Sequence, residues 1–352
     1  MAVNQQLSQI FFDIALYLQM NKVAFKPLAY KKAALLLKKM PADVGVVYQE
    51  KGVKGLEDID GIGKGLAEKI EEFLQTGKIK YYEELKKKMP VDIEAFANVD
   101  NDYPDSISLG DIKGDLHCHS DWNGGHDSIA DMAQKARDLG YDYLGIADHT
   151  KFLQIEHGLD EKQLAQQRKE IDKLNLKFKN QSLKFRVLQG CEANIMADGS
   201  IDIVDEALAK LDYAIAGVHS QMKMPKEEMT ARIIKAIKNP HIDIISHPTG
   251  RLLGERSRDE FQMDFAAILR AAKEYKTILE INASPWRMDL KAENIQKAKM
   301  AGVKMIISTD SHQAEQMSFM RNGIALARSG FAQKSDIINT YSLNKLLAFF
   351  KH

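Results

Sequence analysis

The chain has 352 residues, of which 45% are hydrophobic and 28% are charged, and its 49 basic side chains balance its 49 acidic ones. These are the proportions of an ordinary soluble protein that is long enough for about two domains with sizeable cores. No membrane span or secretion signal is expected, because the apolar run at residues 10–12 is broken by Asp13.

The charge is unevenly distributed along the chain. Residues 1–90 contain 15 lysines, no arginine and 11 acidic residues, so this part is basic and the remainder is acidic. A basic part joined to an acidic one suggests that the first part meets a polyanion and that the second binds cations. A lysine-rich solvated surface explains the same charge equally well.

Residues 56–70 predict a short helix, a Gly-x-Gly-x-Gly turn and a second helix. Gly61, Gly63 and Gly65 let the backbone turn tightly and approach another molecule closely. Together with Lys64, the N–H groups at the start of the second helix form an anion site. This pattern resembles the helix–hairpin–helix motif, which binds a DNA phosphate without reading sequence. A simple packing corner between two helices is the alternative.

Residues 4–40 predict two amphipathic helices ahead of this hairpin. With them, residues 1–90 resemble the N-terminal small domain of family X DNA polymerases. In members with deoxyribose-phosphate lyase activity, one lysine after the hairpin forms a Schiff base with an abasic sugar. That position corresponds to Lys69, which borders an apolar helix face, so partial desolvation would favour the neutral amine. A lysine that merely covers apolar surface is the alternative.

Residues 91–113 are predicted to be a linker, since Pro, Gly, Asn and Asp recur in them. A family X polymerase would place its catalytic core here, with the paired aspartates that hold Mg²⁺. About two dozen residues cannot build a nucleotidyltransferase core. We therefore expect no polymerase activity.

From residue 114 onward, apolar strands alternate with helical patterns. This alternation predicts an α/β domain over residues 114–352 with a parallel sheet, closed into a barrel of seven βα repeats. A doubly wound open sheet is the alternative, but no Gly-rich dinucleotide loop follows the first strand. The strands are predicted to end near His117, Ala147, Gly190, Gly217, Ser246, Asn282 and Ser308.

Histidines and carboxylates follow most of these strands. In a parallel barrel the carboxyl ends of the strands meet at one face, so these side chains are expected to converge. Mixed imidazole and carboxylate ligands suit Zn²⁺, Mn²⁺ or Fe²⁺ better than Mg²⁺ or Ca²⁺. The candidate ligands are His117, His119, His149, Glu192, His219, His247, Asp310 and His312.

The motifs around these residues are those of the PHP (polymerase and histidinol phosphatase) superfamily. Among them are Asp-Leu-His-x-His from Asp115 and Ser-Thr-Asp-Ser-His ending at His312. The resemblance implies a distorted, TIM-like (β/α)7 barrel that holds three divalent metal ions. It implies a first ion on His117, His119, Glu192 and Asp310, a second on Glu192, His219 and His247, and a third on His149 and His312.

One position departs from the family pattern. Family X members usually have an aspartate five residues after the second histidine, as a ligand of the third metal, whereas this chain has Gly124. His126 lies two residues further on, and an imidazole from this loop serves some PHP relatives. His126 is therefore a candidate substitute ligand, and a solvated loop residue is the alternative.

Basic residues near the candidate ligands are able to pair with phosphate oxygens, although each alone is equally well explained as a surface ion-pair partner. They are Arg251, Arg256, Arg258, Arg287 and Lys151. Glu280 and Asn282 are predicted to hydrogen-bond beside the site rather than to bind metal. Trp286 is a candidate for stacking on a terminal base, with core packing as the alternative.

Cys118 and Cys191 are too few for a disulfide framework. Each adjoins a candidate ligand, so in a strand each would point the opposite way, towards packing helices. We expect both to be reduced core residues of a cytoplasmic protein.

The sequence thus predicts a metal-dependent phosphoesterase that acts on DNA, as a single strand or at a 3′ end. Resemblance to the family implies 3′→5′ exonuclease activity or 3′-end processing in DNA repair, stimulated by Mn²⁺. Abasic-site cleavage is a further candidate activity. A separate polymerase or repair protein is a further conceivable partner. The alternatives are a small-molecule phosphatase of the histidinol-phosphatase kind and a non-catalytic DNA-binding scaffold.

Overall fold

A computed structural model describes residues 3–20, 26–88, 105–153, 157–254 and 257–350. The chain divides into two compact units, Met1–Asp92 and Ile93–His352. Most of the predicted linker, residues 91–104, lies outside the described ranges. None of the helices in those ranges is both long enough and apolar enough to cross a bilayer.

The first unit is helical, as predicted. Its core combines Leu7, Phe11 and Ile14 with Leu37 and Ile70, all fully buried. Helix α5 was not predicted, because its sequence is mostly charged and its few apolar residues show no clear period. The helices are α1 (Val3–Met20), α2 (Lys26–Lys39), α3 (Val44–Glu57, broken at Gly52), α4 (Lys64–Thr76) and α5 (Lys80–Lys88).

The predicted hairpin lies between α3 and α4. Gly61 has a φ of 92°, a left-handed conformation that glycine adopts without steric cost. Gly63 caps α4, and its carbonyl accepts from the N–H groups of Leu66 and Ala67. The N–H groups of Lys64 and Gly65, which precede Leu66 at the start of α4, have no intrahelical acceptor, as at any helix start.

The second unit alternates strands with helices. Its strands are β1 (Gly114–Cys118), β2 (Tyr143–Ile146), β3 (Arg186–Gln189), β4 (Glu192–Asn194), β5 (Ile215–Gly217), β6 (Ile244–Ile245), β7 (Ile278–Asn282) and β8 (Met305–Ser308). Its helices are α6 (Ile129–Asp138), α7 (Glu161–Asn180), α8 (Asp205–Leu208), α9 (Lys226–Lys238), α10 (Phe265–Glu274), α11 (Ala292–Ala301), α12 (Met320–Ser329) and α13 (Leu343–Leu347). Seven of these strands, all except β4, end within one residue of the predicted positions.

The strands form a closed parallel barrel, which has seven strands when β3 and β4 are counted as one. One sheet has the order β1-β2-β3 and the other β4-β5-β6-β7-β8. β3 and β4 are one interrupted strand, because the bridge from His149 to Glu192 continues the β2–β3 pairing in the same register. A parallel bridge from Cys118 to Ser311 joins β1 to the segment after β8 and closes the barrel. The predicted (β/α)7 barrel is therefore confirmed.

The barrel core is built from β-branched residues of successive strands. Ile215, Ile244, Ile278 and Ile306 are fully or almost fully buried in one cluster. Tyr213 lies among them, and its hydroxyl donates to the carbonyl oxygen of Leu116 at 2.6 Å.

The C-terminal segment packs on this core at the end opposite to the carboxyl ends of the strands. Ile338, Leu346 and Phe350 join the same cluster, and Phe350 stacks on Tyr213 at 5.6 Å between ring centroids. This closing segment was not predicted, because its short 3₁₀ and helical turns carry no long periodic signal.

Cys118 and Cys191 are free and fully buried, which confirms the prediction that they are core residues. Burial raises the pKa of both thiols well above their ordinary value. Both therefore remain protonated at neutral pH and are poor nucleophiles.

The barrel interior leaves no room for a side chain at Gly190. A Cβ there would lie 2.4 Å from Cζ of Tyr213. We expect Gly190→Ala to lower the free energy of unfolding by roughly 1–3 kcal/mol through overpacking, measured by urea melts of the full chain. Gly110→Ala is the matched control, because its Cβ would meet nothing nearer than Ser108 Oγ at 4.0 Å. Equal melting of the two variants would contradict the packing argument.

Candidate metal centre

Glu192 lies at the centre of the candidate site. Its Oε1 is 3.2 Å from Nε2 of His219 and 2.8 Å from Nε2 of His247. Its Oε2 is 2.9 Å from Nδ1 of His149 and 3.3 Å from Nε2 of His117. One buried carboxylate thus lies within 3.3 Å of four imidazoles from four different strand ends, and Nε2 of His119 lies 3.8 Å from its Oε2.

Asp310 forms a second carboxylate corner. Its Oδ1 lies 3.2 Å from Nε2 of His119 and 3.7 Å from Nε2 of His117. β1 delivers both histidines through an irregularity, because its pairing with β2 shifts register between Asp115 and Cys118. Bulges of this kind re-aim side chains next to active sites.

Three histidine rings form the remaining corner. The ring of His119 stacks on those of His312 and His149, with centroids 4.2 and 4.5 Å apart. Their nitrogens can converge within 4.8 Å of one another. Two further sets meet the same distance criterion, namely His117 with His119 and Glu192, and His149 with Glu192 and His219.

These groupings agree with the implied ligand sets only in part. His149, which was assigned to the third ion, also faces Glu192, and His119 also faces the third corner. His247 is in none of the three groups among the described residues, although it contacts Glu192. All eight candidate ligands nevertheless converge on one pocket, and their roles as ligands stay a prediction.

Several buried imidazole nitrogens form no hydrogen bond of adequate geometry in the described part of the chain, even where an oxygen of Glu192 or Asp310 is close. They are Nε2 of His117, both ring nitrogens of His119, Nδ1 of His149 and Nδ1 of His247. An unpaired buried polar atom is costly, and native proteins rarely leave several together. Imidazole nitrogens and carboxylate oxygens are donors that Zn²⁺ and Mn²⁺ accept. The residues therefore fit divalent metal ions.

The electrostatics of the pocket lead to the same conclusion. Burial disfavours the charged ring of His117, but Glu192, Glu280 and Asp310 outweigh burial and raise its pKa well above 6.5. Burial together with the neighbouring histidines His312 and His149 holds the pKa of His119 well below 6.5. The carboxylates thus draw positive charge into the pocket, and a divalent cation supplies that charge.

Hydrogen bonds fix the orientation of the rings. Nδ1 of His117 lies 2.7 Å from Oε1 of Glu280, and Nδ1 of His219 lies 2.7 Å from Oδ1 of Asn194. Nδ1 of His312 lies 3.0 Å from the carbonyl oxygen of Asp310. Because each partner is an acceptor, Nδ1 carries the proton in all three rings, and Nε2 keeps its lone pair for a metal.

Glu280 and Asn282 hold the hydrogen-bonding positions that the sequence analysis expected. Glu280 also accepts from the backbone N–H of His247 at 2.6 Å, and Asn282 donates to Oδ2 of Asp310 at 3.2 Å. Both come from β7, the barrel strand that supplies no candidate ligand.

Other contacts that position the candidate ligands were not predicted. Asp148 accepts from Ser120 and Gln167, lies 4.0 Å from Nδ1 of His119, and burial raises its pKa to about 7. Asn123 accepts from the backbone N–H of His149 at 3.0 Å. Sequence spacing carries no signal for such contacts, because each joins segments far apart in the chain.

Arg232 of α9 is another residue that the sequence analysis missed. Its side chain is almost fully buried and donates to the carbonyl oxygens of Ile195 and Ser220. These residues directly follow Asn194 and His219, so the guanidinium ties together the two segments that hold the His219 ring.

The backbone is left-handed at two candidate ligands. His247 has a φ of 30° and Asp310 a φ of 54°. Non-glycine residues rarely adopt this region, and they do so preferentially at functional sites, where the surrounding structure enforces it.

The loop after β1 does not supply an obvious substitute for the missing carboxylate. Gly124 has a φ of 61°, which glycine tolerates best. The side chain of His126 is exposed and belongs to none of the three groups of potential ligands within the described residues. Its backbone N–H donates to the carbonyl oxygen of His312 at 2.7 Å. His126 as a ligand stays a prediction.

The candidate phosphate-binding residues differ in their surroundings. Nε of Arg287 lies 3.2 Å from Oδ2 of Asp310, beside the metal pocket. The guanidinium of Arg251 donates to the carbonyl oxygens of Arg287 and Met288, so it holds that segment. Lys151 pairs with Glu161 at 2.6 Å, and Arg256 lies outside the described residues.

Trp286 is half-buried, and its ring meets that of Phe319 edge to face at 5.9 Å between centroids. This contact gives the side chain of Trp286 a packing role. Stacking of Trp286 on a base stays a prediction.

A cleft of about 370 Å³ opens in the first unit beside the hairpin. Its lining includes Gly63, Gly65 and Lys69. Nζ of Lys69 donates to the carbonyl oxygen of Gly65 at 3.0 Å and lies 5.4 Å from the ring centroid of Tyr81. The candidate lyase residue is therefore next to the candidate phosphate site.

Comparison with known proteins agrees with this architecture. A family model described as a helix-hairpin-helix domain matches residues 2–79, and one described as a PHP domain matches residues 115–284. The DNA polymerase/3′-5′ exonuclease PolX of Bacillus subtilis (strain 168) is 38% identical over 305 residues, 82% of this chain and 52% of the relative. The chain thus spans about half the length of that relative.

Two further proteins are similar to the barrel part. A probable phosphatase of Thermoanaerobacter sp. (strain X514) is 31% identical over 175 residues, 47% of this chain and 68% of the relative. A crystal structure of histidinol phosphate phosphatase from Lactococcus lactis, complexed with zinc, L-histidinol and phosphate, is 18% identical with a TM-score of 0.48. It covers 63% of this chain and 94% of its own. The chain therefore belongs to the PHP family of metal-dependent hydrolases, and it carries a helix-hairpin-helix domain ahead of its PHP barrel.

Proposed function

We propose that the protein is a metal-dependent phosphoesterase that acts on DNA, as a 3′→5′ exonuclease or in 3′-end processing during repair. The observation that carries the proposal is the convergence of eight side chains able to bind metal, with Glu192 at their centre. The same chain also has a helix-hairpin-helix domain. The name of the Bacillus subtilis relative, which includes a 3′-5′ exonuclease, supports the choice of substrate.

Three ions, Zn²⁺ or Mn²⁺ with Fe²⁺ as a further candidate, are proposed for the pocket, on the eight ligands assigned above. When bound, such ions lower the pKa of a coordinated water to roughly 7 and offset the charge of the phosphate. His117, His219 and His312 present Nε2 for this purpose, because acceptors hold their protons on Nδ1.

Arg287 is the side chain that we propose for pairing with a nonbridging phosphate oxygen. Its Nε lies beside Asp310, while guanidinium groups offer further N–H donors to a second acceptor. Arg251 positions this segment through the carbonyl oxygens of Arg287 and Met288. Lys151 remains a weaker proposal, because Glu161 already neutralises its charge.

The hairpin is proposed to hold the DNA backbone through Gly61, Gly63, Gly65 and Lys64. A Cβ at Gly63 or Gly65 would meet no atom of the chain within 4 Å. The fold itself therefore does not require glycine at these two positions. Close approach of an external phosphate to the N–H groups of the first helical turn does require it.

Lys69 is proposed as a lyase nucleophile for abasic sites. It lies in the cleft beside Gly63 and Gly65, where a DNA phosphate would bring the adjacent sugar within reach. The same chain would then cut an abasic site and clean the resulting end.

DNA is the partner that this reading requires, with a separate polymerase or repair protein as a further proposed partner. A cytoplasmic location, where cellular DNA is accessible in bacteria, is part of the proposal. No polymerase activity is proposed, because the predicted linker, residues 91–113, is too short for a nucleotidyltransferase core.

Asp310→Ala tests the metal-dependent chemistry. We expect loss of bound metal and a fall in digestion of a 3′-labelled oligonucleotide of more than about a hundredfold, because a candidate ligand is removed. Elemental analysis and a gel assay with Mn²⁺ and Zn²⁺ measure both effects.

Asp198→Ala is the matched control, since this exposed aspartate lies away from the pocket and pairs only with Lys235 and Ser200. Wild-type turnover of histidinol phosphate without any digestion of DNA would favour a small-molecule phosphatase. Metal-rich protein without any turnover would favour a binding scaffold.

Gly65→Ala tests the hairpin. We expect an unchanged or slightly higher melting temperature, because alanine favours the helix by about 0.5–1 kcal/mol. We also expect DNA binding to weaken about tenfold, because a methyl group holds the phosphate away from the helix start. Fluorescence anisotropy of a labelled oligonucleotide measures the affinity. Gln49→Ala, an exposed neutral position on α3, serves as the control, and equal affinity of both variants would count against the hairpin contact.

Lys69→Ala tests the lyase activity. Borohydride trapping on a 5′-deoxyribose-phosphate substrate should capture the wild-type protein as a covalent product. In Lys69→Ala the yield of this product should fall by about tenfold or more. Lys78→Ala, another exposed lysine of the same unit, should be trapped like the wild type. Undiminished trapping of Lys69→Ala would remove Lys69 as the nucleophile.

A further inference from the structure

A second cleft opens beside the metal centre and shares one wall with it. Its volume is about 700 Å³, and it is lined by residues 219–224, after β5, and by residues 257–260 and Gln262. His219 belongs to this lining and also lies 3.2 Å from Glu192. The cleft and the candidate metal pocket therefore have the side chain of His219 in common.

Arg258 is held rigidly in this cleft. Its backbone forms an antiparallel bridge with Leu252, with N–H to carbonyl distances of 2.8 and 3.0 Å. Its Nε donates to the carbonyl oxygen of Gly250 at 2.8 Å, and its guanidinium carbon lies 5.8 Å from the ring centroid of Phe261. Such a fixed guanidinium loses little freedom when it binds an anion.

The charge of Arg258 is not neutralised by a carboxylate. In the described part of the chain, no Asp or Glu oxygen lies within ion-pair distance of it. Glu260, the half-buried acid of the cleft, is already bonded to Lys291 and Asn294, each at 3.0 Å. Arg287 is near enough that, together with burial, it lowers the pKa of Arg258. Arg258 and Arg287 thus lie near one another, and Arg287 also contacts Asp310 of the candidate metal pocket.

The apolar wall of the cleft consists of two methionines. The sulfur of Met222 accepts from Arg258, and the sulfur of Met224 accepts from Arg232 at 3.3 Å. Thioether side chains are polarizable and adapt to flat groups of different shape. This wall suits a nucleobase of any identity and offers no code for one base over another.

We propose that this cleft binds the nucleotide on the 5′ side of the scissile phosphate, with its base against Met222 and Met224 and its own 5′-phosphate on Arg258. The inference rests on the proposed function and adds a substrate requirement to it. Efficient cleavage needs a second phosphate, one nucleotide upstream of the one that is cut. A phosphate monoester of a small alcohol cannot satisfy this requirement.

Two thymidine dinucleotides that differ only in a 5′-phosphate test the proposal. Hydrolysis of either releases thymidine 5′-monophosphate, and we expect the wild type to show a kcat/KM about tenfold higher for the phosphorylated dinucleotide, as for one charge-assisted contact. Arg258→Met should abolish this preference, and Arg258→Lys, which keeps the charge without the fork, should retain part of it. Arg270→Met, an exposed arginine of α10, should keep the full preference.

The outcomes distinguish failure of the cleft assignment from failure of the proposed exonuclease function. A wild type that digests DNA without preferring the phosphorylated dinucleotide overturns the cleft assignment, as does an Arg258→Met variant that keeps the preference. Those results leave the proposed exonuclease intact. A wild type that digests no DNA with any divalent metal overturns the proposed function, and the cleft assignment falls with it.

Discussion

The candidate site depends on the burial of one carboxylate. Glu192 is 1% exposed, and an isolated charge at such a depth is strongly unfavourable. Five imidazoles lie within 4.0 Å of it. Among them, His117, His219 and His149 overcome the effect of burial and hold its pKa well below 4.5. The arrangement stabilises positive charge at one point between the strand ends. Metal ions meet that demand with fixed geometry, whereas protonated histidines would repel one another.

The parallel barrel makes this convergence possible. Because all its strands run the same way, six strand ends deliver ligand types to one mouth, and β7 delivers the hydrogen-bonding pair Glu280 and Asn282. A layer of residues from helices and loops then fixes the rings. Arg232 ties two of these segments together from α9, and Asp148 holds the loop after β1 through Ser120. The rigidity of the site is thus distributed over much of the barrel.

The helical unit complements this chemistry by a different physical means. Its hairpin offers backbone N–H groups rather than side-chain charges, which suits a ligand with a repeating phosphate backbone and no required sequence. The cleft beside Lys69 and the cleft beside Arg258 each combine a cation with apolar or aromatic wall residues. Both units therefore carry a cationic cleft of the kind that the proposed DNA substrate requires.

The sequence alone determined the seven-stranded barrel, the helical hairpin and the eight candidate ligands. The periodicity of hydrophobic residues and the residue types at strand ends are local signals that can be read from the chain. It also identified the loop at Gly124 as the point of departure from the family. Only the tertiary structure decided which oxygen of Glu192 faces which ring and that His149 and His119 each face more than one group. It also decided that Lys151 pairs with a carboxylate, whereas Arg258 has none within ion-pair distance among the described residues. It also revealed Arg232, Asn194 and the closing C-terminal segment. Those features are contacts between residues distant along the chain, and no local pattern encodes which pairs will meet.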